Sequence, residues 1–255
     1  MPPVRPAILF SSTHREVPGH DTGIADAIVR AVGAGSLPEA VRIHETADIL
    51  AFGRHDTITP GYRSAVAAAR AAGFTPVERL AGGRAAVFHG GTLAFSWAIP
   101  VPEPRSGVGE RFGEIAEIMT EAFGALGVDA QIGELEGEYC PGAYSVHAGG
   151  MKIMGVGQRL VRGAAHVGGV VSVLDGSRIR DVLIPVYREL GLEWRPSTAG
   201  ALDELVPDVT LDRVRDAIVE SFSERLTLRP LPIPPEIVDE GRKLAGSHVP
   251  GHEAG

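Results

Sequence analysis

Between Tyr144 and Leu174 apolar and polar residues alternate, and glycine repeatedly interrupts the run. Period-two alternation broken by glycine reads as β-structure, and a stretch of this length has to fold back on itself. It predicts three or four antiparallel strands. On either side the period changes. Ile24, Ile28 and Val32 recur every four residues in a helix starting near Asp21, which can cap it. Phe112, Ile115, Met119, Ala122 and Leu126 share one face of a longer helix over about 107–126, and Val214, Ile218 and Phe222 do so over 211–226. A small helix is predicted over 62–72 and another over 177–190, with Pro185 as a kink or break. Ala40–His44, Asp48–Phe52, Thr75–Leu80, Thr92–Ile99 and a short Val128–Ile132 read as strands. Strands and helices mix without strict βαβ alternation. The expected class is therefore α+β, with a mixed, largely antiparallel sheet flanked by helices. Residues 1–226 are expected to form one domain and 227–255 a partly irregular C-terminal extension, opened by a Leu-Pro-Ile-Pro-Pro run.

Composition narrows the function classes. Of 255 residues 44% are hydrophobic and 22% charged, which excludes disorder, collagen and coiled coil as the main architecture. The single cysteine precludes an internal disulfide. The opening MPPVRPAILF lacks a basic segment followed by an apolar run, and no stretch approaches the ~18 apolar residues of a membrane helix. A cytoplasmic protein with no membrane partner is expected. Net charge −8 and 5% aromatics argue against nucleic acid. No P-loop or Gly-x-Ser-x-Gly elbow is present, and Gly155-Val-Gly157 lacks the third glycine of a dinucleotide fingerprint, so it reads as hairpin backbone. His248 and His252 are separated by Pro250 and Gly251, so no helix presents them together, and no metal site is expected.

Among 24 Lys and Arg only Lys152 and Lys243 are lysine. Where arginine replaces lysine so widely, a lysine that remains is informative. Lys152 lies twelve residues after Cys140, which sits in a turn-forming Glu-Tyr-Cys-Pro-Gly context. Cys140 admits two readings, a small buried hydrophobe or a reactive thiol whose thiolate a nearby ammonium stabilises. If Ala148–Gly150 turns a hairpin, Lys152 pairs near His147 and meets Cys140 only if Pro141-Gly142 folds the chain back. A second candidate is the loop Arg79–Thr92, where Gly82-Gly83 and Gly90-Gly91 bracket a short apolar strand with Arg84 and His89 attached. Those glycines suit either a tight β-turn or a close backbone approach to a ligand.

Taken in order along the chain, these segments resemble the biotin/lipoate A/B protein ligase family of lipoate ligases and octanoyltransferases. Asp21–Val32 looks like the family's first helix and Ala51-Phe-Gly-Arg-His55 like its Gly-Arg strand end. Arg79–Ser96 is similar to its Gly-Gly…His signature, and Gly150-Met-Lys-Ile-Met-Gly-Val-Gly-Gln158-Arg159 to the segment carrying its essential lysine. Roughly residues 21–226 are covered. Glu-Tyr-Cys-Pro-Gly stands where ATP-dependent ligases carry Asn-Asp, and Cys140-Pro-Gly-Ala-Tyr144 looks like the octanoyltransferase type whose cysteine precedes the lysine. The gap to the lysine is a few residues shorter here, and Val156-Gly157 replaces the usual Ser-Ala.

The resemblance implies a class II synthetase-like catalytic domain that transfers an octanoyl group from acyl carrier protein, through a Cys140 thioester, to a lysine of a lipoyl domain or a glycine-cleavage H-type protein. It implies Cys140 and Lys152 as catalytic, the ammonium lying beside the reacting carbonyl. Arg79, Gly82, Gly83, Arg84, His89, Gly155 and Gln158 would bind substrate. No cofactor is needed for such a transferase. The competing readings are a lipoate–protein ligase using ATP and Mg2+, a lipoyl amidotransferase, and a non-catalytic module binding acyl groups or carrier proteins. A basic patch of Arg79, Arg84, Arg159 and Arg162 would meet the acidic partner proteins.

Overall fold

The computed structural model describes residues 5–14 and 17–251; His252, one of the two tail histidines, lies outside them. In chain order the elements are β1 (Arg5–Phe10), α1 (His20–Gly33), β2 (Ala40–Glu45), β3 (Ile49–Phe52), α2 (Arg54–Thr57), α3 (Tyr62–Ala71), β4 (Thr75–Glu78), β5 (Ala86–Phe88), β6 (Thr92–Pro100), α4 (Val108–Ala125), β7 (Gln131–Ile132), β8 (Val146–Ala148), β9 (Met151–Val161), β10 (Ala164–Ser172), α5 (Gly176–Glu189), α6 (Leu211–Ser223), β11 (Leu226–Pro230) and α7 (Pro235–Ala245).

Alternation along β2 and β6 decides what covers each face of the main sheet. Val41, Ile43, Leu93, Phe95 and Trp97 point one way, into a core closed by Ile115, Met119 and Phe123 of α4 and Ile218 and Phe222 of α6. Trp97 is fully buried, meets Phe222 edge-on, and donates its indole N–H to the Glu39 carboxylate at 2.8 Å. The opposite face offers Ala40, Ala98 and Ala164 to Ile24, Ile28 and Val32 of α1. Eight strands run in the order β11-β1-β2-β6-β10-β9-β8-β7. All neighbours pair antiparallel except β1, which is parallel to both β2 and β11. A second sheet, β4-β3-β5, packs with α3 and α5 through Leu50, Phe52, Ala65, Ala69, Ile179 and Leu183. The fold is thus the mixed α+β class the sequence predicts, and Tyr144–Leu174 supplies three antiparallel strands.

Several expectations shift. Val128 donates its N–H to the Phe123 carbonyl, so 128–130 wraps the end of α4 and only two residues pair with β8. Pro185 lies inside α5, which runs through it unbroken. Leu226 fits the apolar face of α6 by period, yet the helix stops at Ser223 and Leu226 opens β11, opposite Arg5. The stretch beyond it adds that edge strand and α7, whose Gly241 lies directly against Ile24 of α1. Neither β1 nor β11 was visible as a strand, because each is short and pairs with a segment remote in sequence. Gly155-Val-Gly157 does lie in hairpin backbone, within β9 of the β9–β10 hairpin, and a Cβ at Gly157 would come within 2.8 Å of the Ala81 methyl.

His166 of β10 is buried near α1, where loss of hydration lowers its pKa to about 4 from the usual 6.5. Protonation then favours the unfolded chain, so its contribution to stability is intact above pH 6.5 and is lost as pH falls through about 4. His89 and His248 are buried with shifts of the same sign. Thermal melts should show Tm falling across this interval, and His166→Gln should make the fall shallower; equal slopes would show that His166 is not among the groups responsible.

Candidate active site

Three segments converge on Cys140: the loop between β4 and β5, the loop between β7 and β8, and the start of β9. Lys152 stands opposite His147 in the β8–β9 ladder, as the hairpin reading expects, with a register shift at Val146/His147. The chain folds back at Gly142, whose carbonyl accepts the Ser145 N–H at 2.9 Å. The Glu138 carboxylate closes this return, taking the Gly142 N–H at 3.0 Å and the Ser145 hydroxyl at 2.7 Å.

Lys152 reaches into the middle of this loop. Its ammonium donates to Glu138 Oε1 at 3.1 Å, to the Tyr139 carbonyl at 3.1 Å and to the Cys140 carbonyl at 2.7 Å. An ammonium has three protons, so all are committed. The same group lies 5.0 Å from the centre of the Tyr139 ring. Cys140 itself takes φ +44°, a left-handed backbone rare outside glycine. Both its backbone polar groups are held: Lys152 takes the carbonyl, and the N–H donates at 2.9 Å to the hydroxyl of Tyr187, which in turn donates to the Ala85 carbonyl.

This turn aims the thiol at the β4–β5 loop. Cys140 Sγ accepts from Arg79 Nη2 and from the Arg84 backbone N–H, both at 3.2 Å. Burial pushes the thiol pKa up, but the Arg79 guanidinium, the Lys152 ammonium and the two N–H donors outweigh it and hold the thiol below its ordinary value. Gly83 makes the approach possible. Its φ is +100°, and a Cβ there would come within 2.2 Å of Arg79 Nη2 and 3.0 Å of Cys140 Sγ. The loop is anchored from behind by buried Asp56, which accepts the Gly53 N–H at 2.9 Å and pairs with Arg84 at 3.3 Å.

The thiol opens into a cavity of about 380 Å³, within the ~300–1,000 Å³ usual for small-molecule sites. Phe88, Phe112, Val156, Leu160 and Val170 supply apolar wall, and Arg79, Gly82, Gly83, Gly155 and Gln158 also line it. Gln158 is fixed there by Arg111 Nε and the Val108 carbonyl. Arg79, Phe88 and Gly169 also border a second cavity against α1, lined by Ala25, Ala51, Ala94 and His166.

The structure therefore brings Cys140, Lys152, Arg79, Gly82, Gly83, Gly155 and Gln158 together, with Arg84 engaged through its backbone N–H. His89 is buried and does not line the cavity; its Nδ1 accepts the Gly91 N–H. Lys152 donates its three protons to Glu138 and to the Tyr139 and Cys140 carbonyls. The four arginines do not form one patch: Arg79 and Arg84 face inward, Arg159 approaches Asp26 at 3.9 Å, and Arg162 is exposed at the β9–β10 turn. Glu138, Asp56 and Tyr187 escaped sequence reasoning. Tyr187 shares the apolar face of α5 with Leu183 and reads as core, and a carboxylate two residues before a cysteine carries no recognisable spacing. Among the described residues no three potential ligands gather to hold a metal, and no helix is long and apolar enough to cross a membrane.

With this geometry in hand, comparison is informative. Residues 19–223 match the family model of the lipoyl protein ligase A/B catalytic domain. The chain is 33% identical over 188 residues to an octanoyl-GcvH:protein N-octanoyltransferase of Geobacillus kaustophilus, an alignment covering 73% of this chain and 65% of that protein. The chain thus spans just under two thirds of that relative's length. It is 29% identical over 143 residues to a lipoyl-GcvH:protein N-lipoyltransferase of Listeria monocytogenes, covering 55% of this chain and 51% of the other. The fold also resembles a solved lipoate-protein ligase A bound with ATP, with TM-score 0.74 and 20% identity over 95% of this chain and 94% of that one. A lipoate protein ligase of a bipartite system from Thermoplasma acidophilum gives TM-score 0.70 at 20% identity, over 95% and 92%.

Because Cys140 is the only cysteine, its alkylation by iodoacetamide can be followed by intact mass as a function of pH. The midpoint should fall below that of a free thiol. Arg79→Gln removes the nearest cation and should move it upward; an unchanged midpoint would refute the assignment of Arg79 as the principal charge on the thiol.

Proposed function

The chain belongs to the lipoyl protein ligase A/B catalytic-domain family, and from that premise we propose that it is an acyltransferase of protein lipoylation, carrying an octanoyl or lipoyl-type group as a thioester on Cys140. One observation carries this reading: the only cysteine stands at the edge of the cleft with two N–H donors on its sulfur and a guanidinium and an ammonium lowering its pKa. A thiol so placed is an activated nucleophile.

Cys140 thiolate attacks the acyl carbonyl, and the new C–S bond forms as the bond to the donor breaks. If the donor is an octanoyl carrier-protein thioester, its thiolate departs and takes up a proton. If it is an octanoylated GcvH-type protein, as the relatives' names suggest, the lysine amine departs protonated. An acceptor lysine amine then attacks the Cys140 thioester, C–N forms, C–S breaks, and the amine proton is released. No nucleotide is consumed, since the acyl group arrives already activated or returns to an equivalent bond. Negative charge on the tetrahedral oxygen needs donors that are not already committed. Arg79 suits this task, because its Nε is buried and makes no hydrogen bond. The Arg84 N–H, released as Sγ becomes covalent, is the second. Phe88, Val156, Leu160 and Val170 suit an eight-carbon chain, whose tail can run past Phe88 toward the second cavity. The proposal places this chemistry in one catalytic unit over residues 1–226, in the cytoplasm, with a GcvH-type protein or lipoyl domain as acceptor.

Incubation with octanoylated GcvH or octanoyl carrier protein, without ATP, should give a stable mass adduct on Cys140. Cys140→Ala should abolish it, and Arg79→Gln should slow its formation by roughly 10²–10³-fold, the usual cost of an oxyanion donor. An adduct that persists in Cys140→Ala, or a chain that acylates its acceptor only from free octanoate with ATP, would overturn the reading.

A further inference from the structure

We propose that Glu138 is a positioning residue for this transfer: its buried carboxylate fixes the Lys152 ammonium on the Tyr139 and Cys140 carbonyls, and so sets the left-handed turn that aims the thiol at Arg79 and the Arg84 N–H. The inference rests on the reading of Cys140 as the acyl-carrying residue. Its geometry is independent of any ligand.

Glu138 and Lys152 form an ion pair whose side chains are 0% and 2% exposed. A charge buried to that degree is tolerated only with a counter-charge and a full set of hydrogen bonds. Carbonyls of residues 139 and 140 supply bonds but no charge, so Glu138 alone neutralises the ammonium among the groups bonded to it. The carboxylate also ties three points of the loop together, two backbone N–H groups and one hydroxyl. Oε1 takes the Gly142 N–H and the Ser145 hydroxyl along with Lys152, and Oε2 takes the Leu135 N–H at 3.3 Å. Three donors of the loop around Cys140 thus end on one residue, together with the ammonium. The influence on the thiol passes through Lys152: carboxylate to ammonium, ammonium to the Cys140 carbonyl, and the carbonyl to the φ of +44° that points Sγ into the cleft. Glu138 itself makes no bond to the sulfur.

Other groups face the thiol. Arg79 and the Arg84 N–H lie on the β4–β5 loop, with Asp56 behind Arg84; Lys152 lies on β9, Tyr187 on α5, and Tyr139 and Glu138 on the thiol's own loop. A direct effect of the Glu138 charge would hold the thiol pKa up, so removing it would lower the pKa. Loss of the held ammonium has the opposite sign. The two mechanisms are therefore separable.

The test compares the full-length chain with Glu138→Gln, Lys152→Met and the double variant. Three quantities are read: the pH midpoint of Cys140 alkylation, the single-turnover acylation rate from octanoylated GcvH, and Tm. Glu138→Gln should move the midpoint upward and slow acylation by roughly tenfold or more, as expected for coupled neighbours. In the Lys152→Met background the same substitution should change either quantity by less than about twofold. Equal effects in both backgrounds would show a merely structural role, and a downward midpoint a purely electrostatic one; each overturns the proposal, as does an unchanged midpoint and rate. If Glu138→Gln does not fold, Ser145→Ala removes one anchor of the carboxylate while keeping both charges. It should shift the midpoint in the same direction by less, and no shift would count against the proposal. Alkylation needs no acyl donor, so failure to form an acyl-enzyme would sink the functional reading without masking this result.

Discussion

An ammonium taken out of water must find an acceptor for each proton and a charge to offset its own. At Lys152 those demands are met by one carboxylate and two consecutive backbone carbonyls. Consecutive carbonyls can converge on one point only if the backbone between them turns sharply, and Cys140 takes the left-handed conformation that provides it. The thiol's orientation is in this sense a by-product of solvating a lysine. The same geometry explains why arginine has not replaced it. A planar guanidinium carries five N–H donors in a fixed fork, too many and too flat for this three-acceptor pocket.

The site divides its tasks between two loops that meet at the sulfur and are bridged behind it by the Tyr187 hydroxyl. The 138–145 loop fixes where the thiol is, and the 79–84 loop fixes what it experiences. Burial alone would raise the Cys140 pKa; the Arg79 guanidinium, the Lys152 ammonium and the Arg84 N–H outweigh it and hold the thiol below its ordinary value. The reversal needs backbone and sulfur in direct contact, which Gly83 permits and the Asp56 anchor stabilises. No side chain larger than hydrogen fits at position 83 without displacing the guanidinium or the sulfur.

How much of this was legible in the sequence follows from the range of the interactions. The antiparallel unit over 144–174, the pairing of Lys152 with His147 and the faces of α1 and α4 are local, and periodicity shows them. The convergence of Arg79, Cys140 and Lys152 joins residues up to 73 positions apart, and here the family resemblance supplied what spacing could not. What it could not supply was the surroundings of each residue. His89 fits a signature, yet its ring accepts a backbone N–H and never meets the cleft. Lys152 is in place, but its protons are spent on the fold. Glu138 and Tyr187 were invisible because their importance lies wholly in what they touch. At Leu226 the helical and β periods coincide, so only the remote strand at Arg5–Phe10 could decide between them.

That last pairing bears on how the chain reaches its structure. β1 joins β11 across about 220 residues, whereas every group hydrogen-bonded to the Cys140 thiol, the Cys140 N–H or the Lys152 ammonium lies between residues 79 and 187. Contacts so distant in sequence carry the largest loop-closure entropy and tend to form late, and a chain emerging from the ribosome cannot make this one until residues 226–230 have been synthesised. The reactive thiol can thus be assembled on a sheet whose edge is still open. Until β11 arrives, β1 presents an unpaired row of N–H and C=O groups to any other strand nearby. An edge left open in this way invites association, well away from the Cys140 thiol.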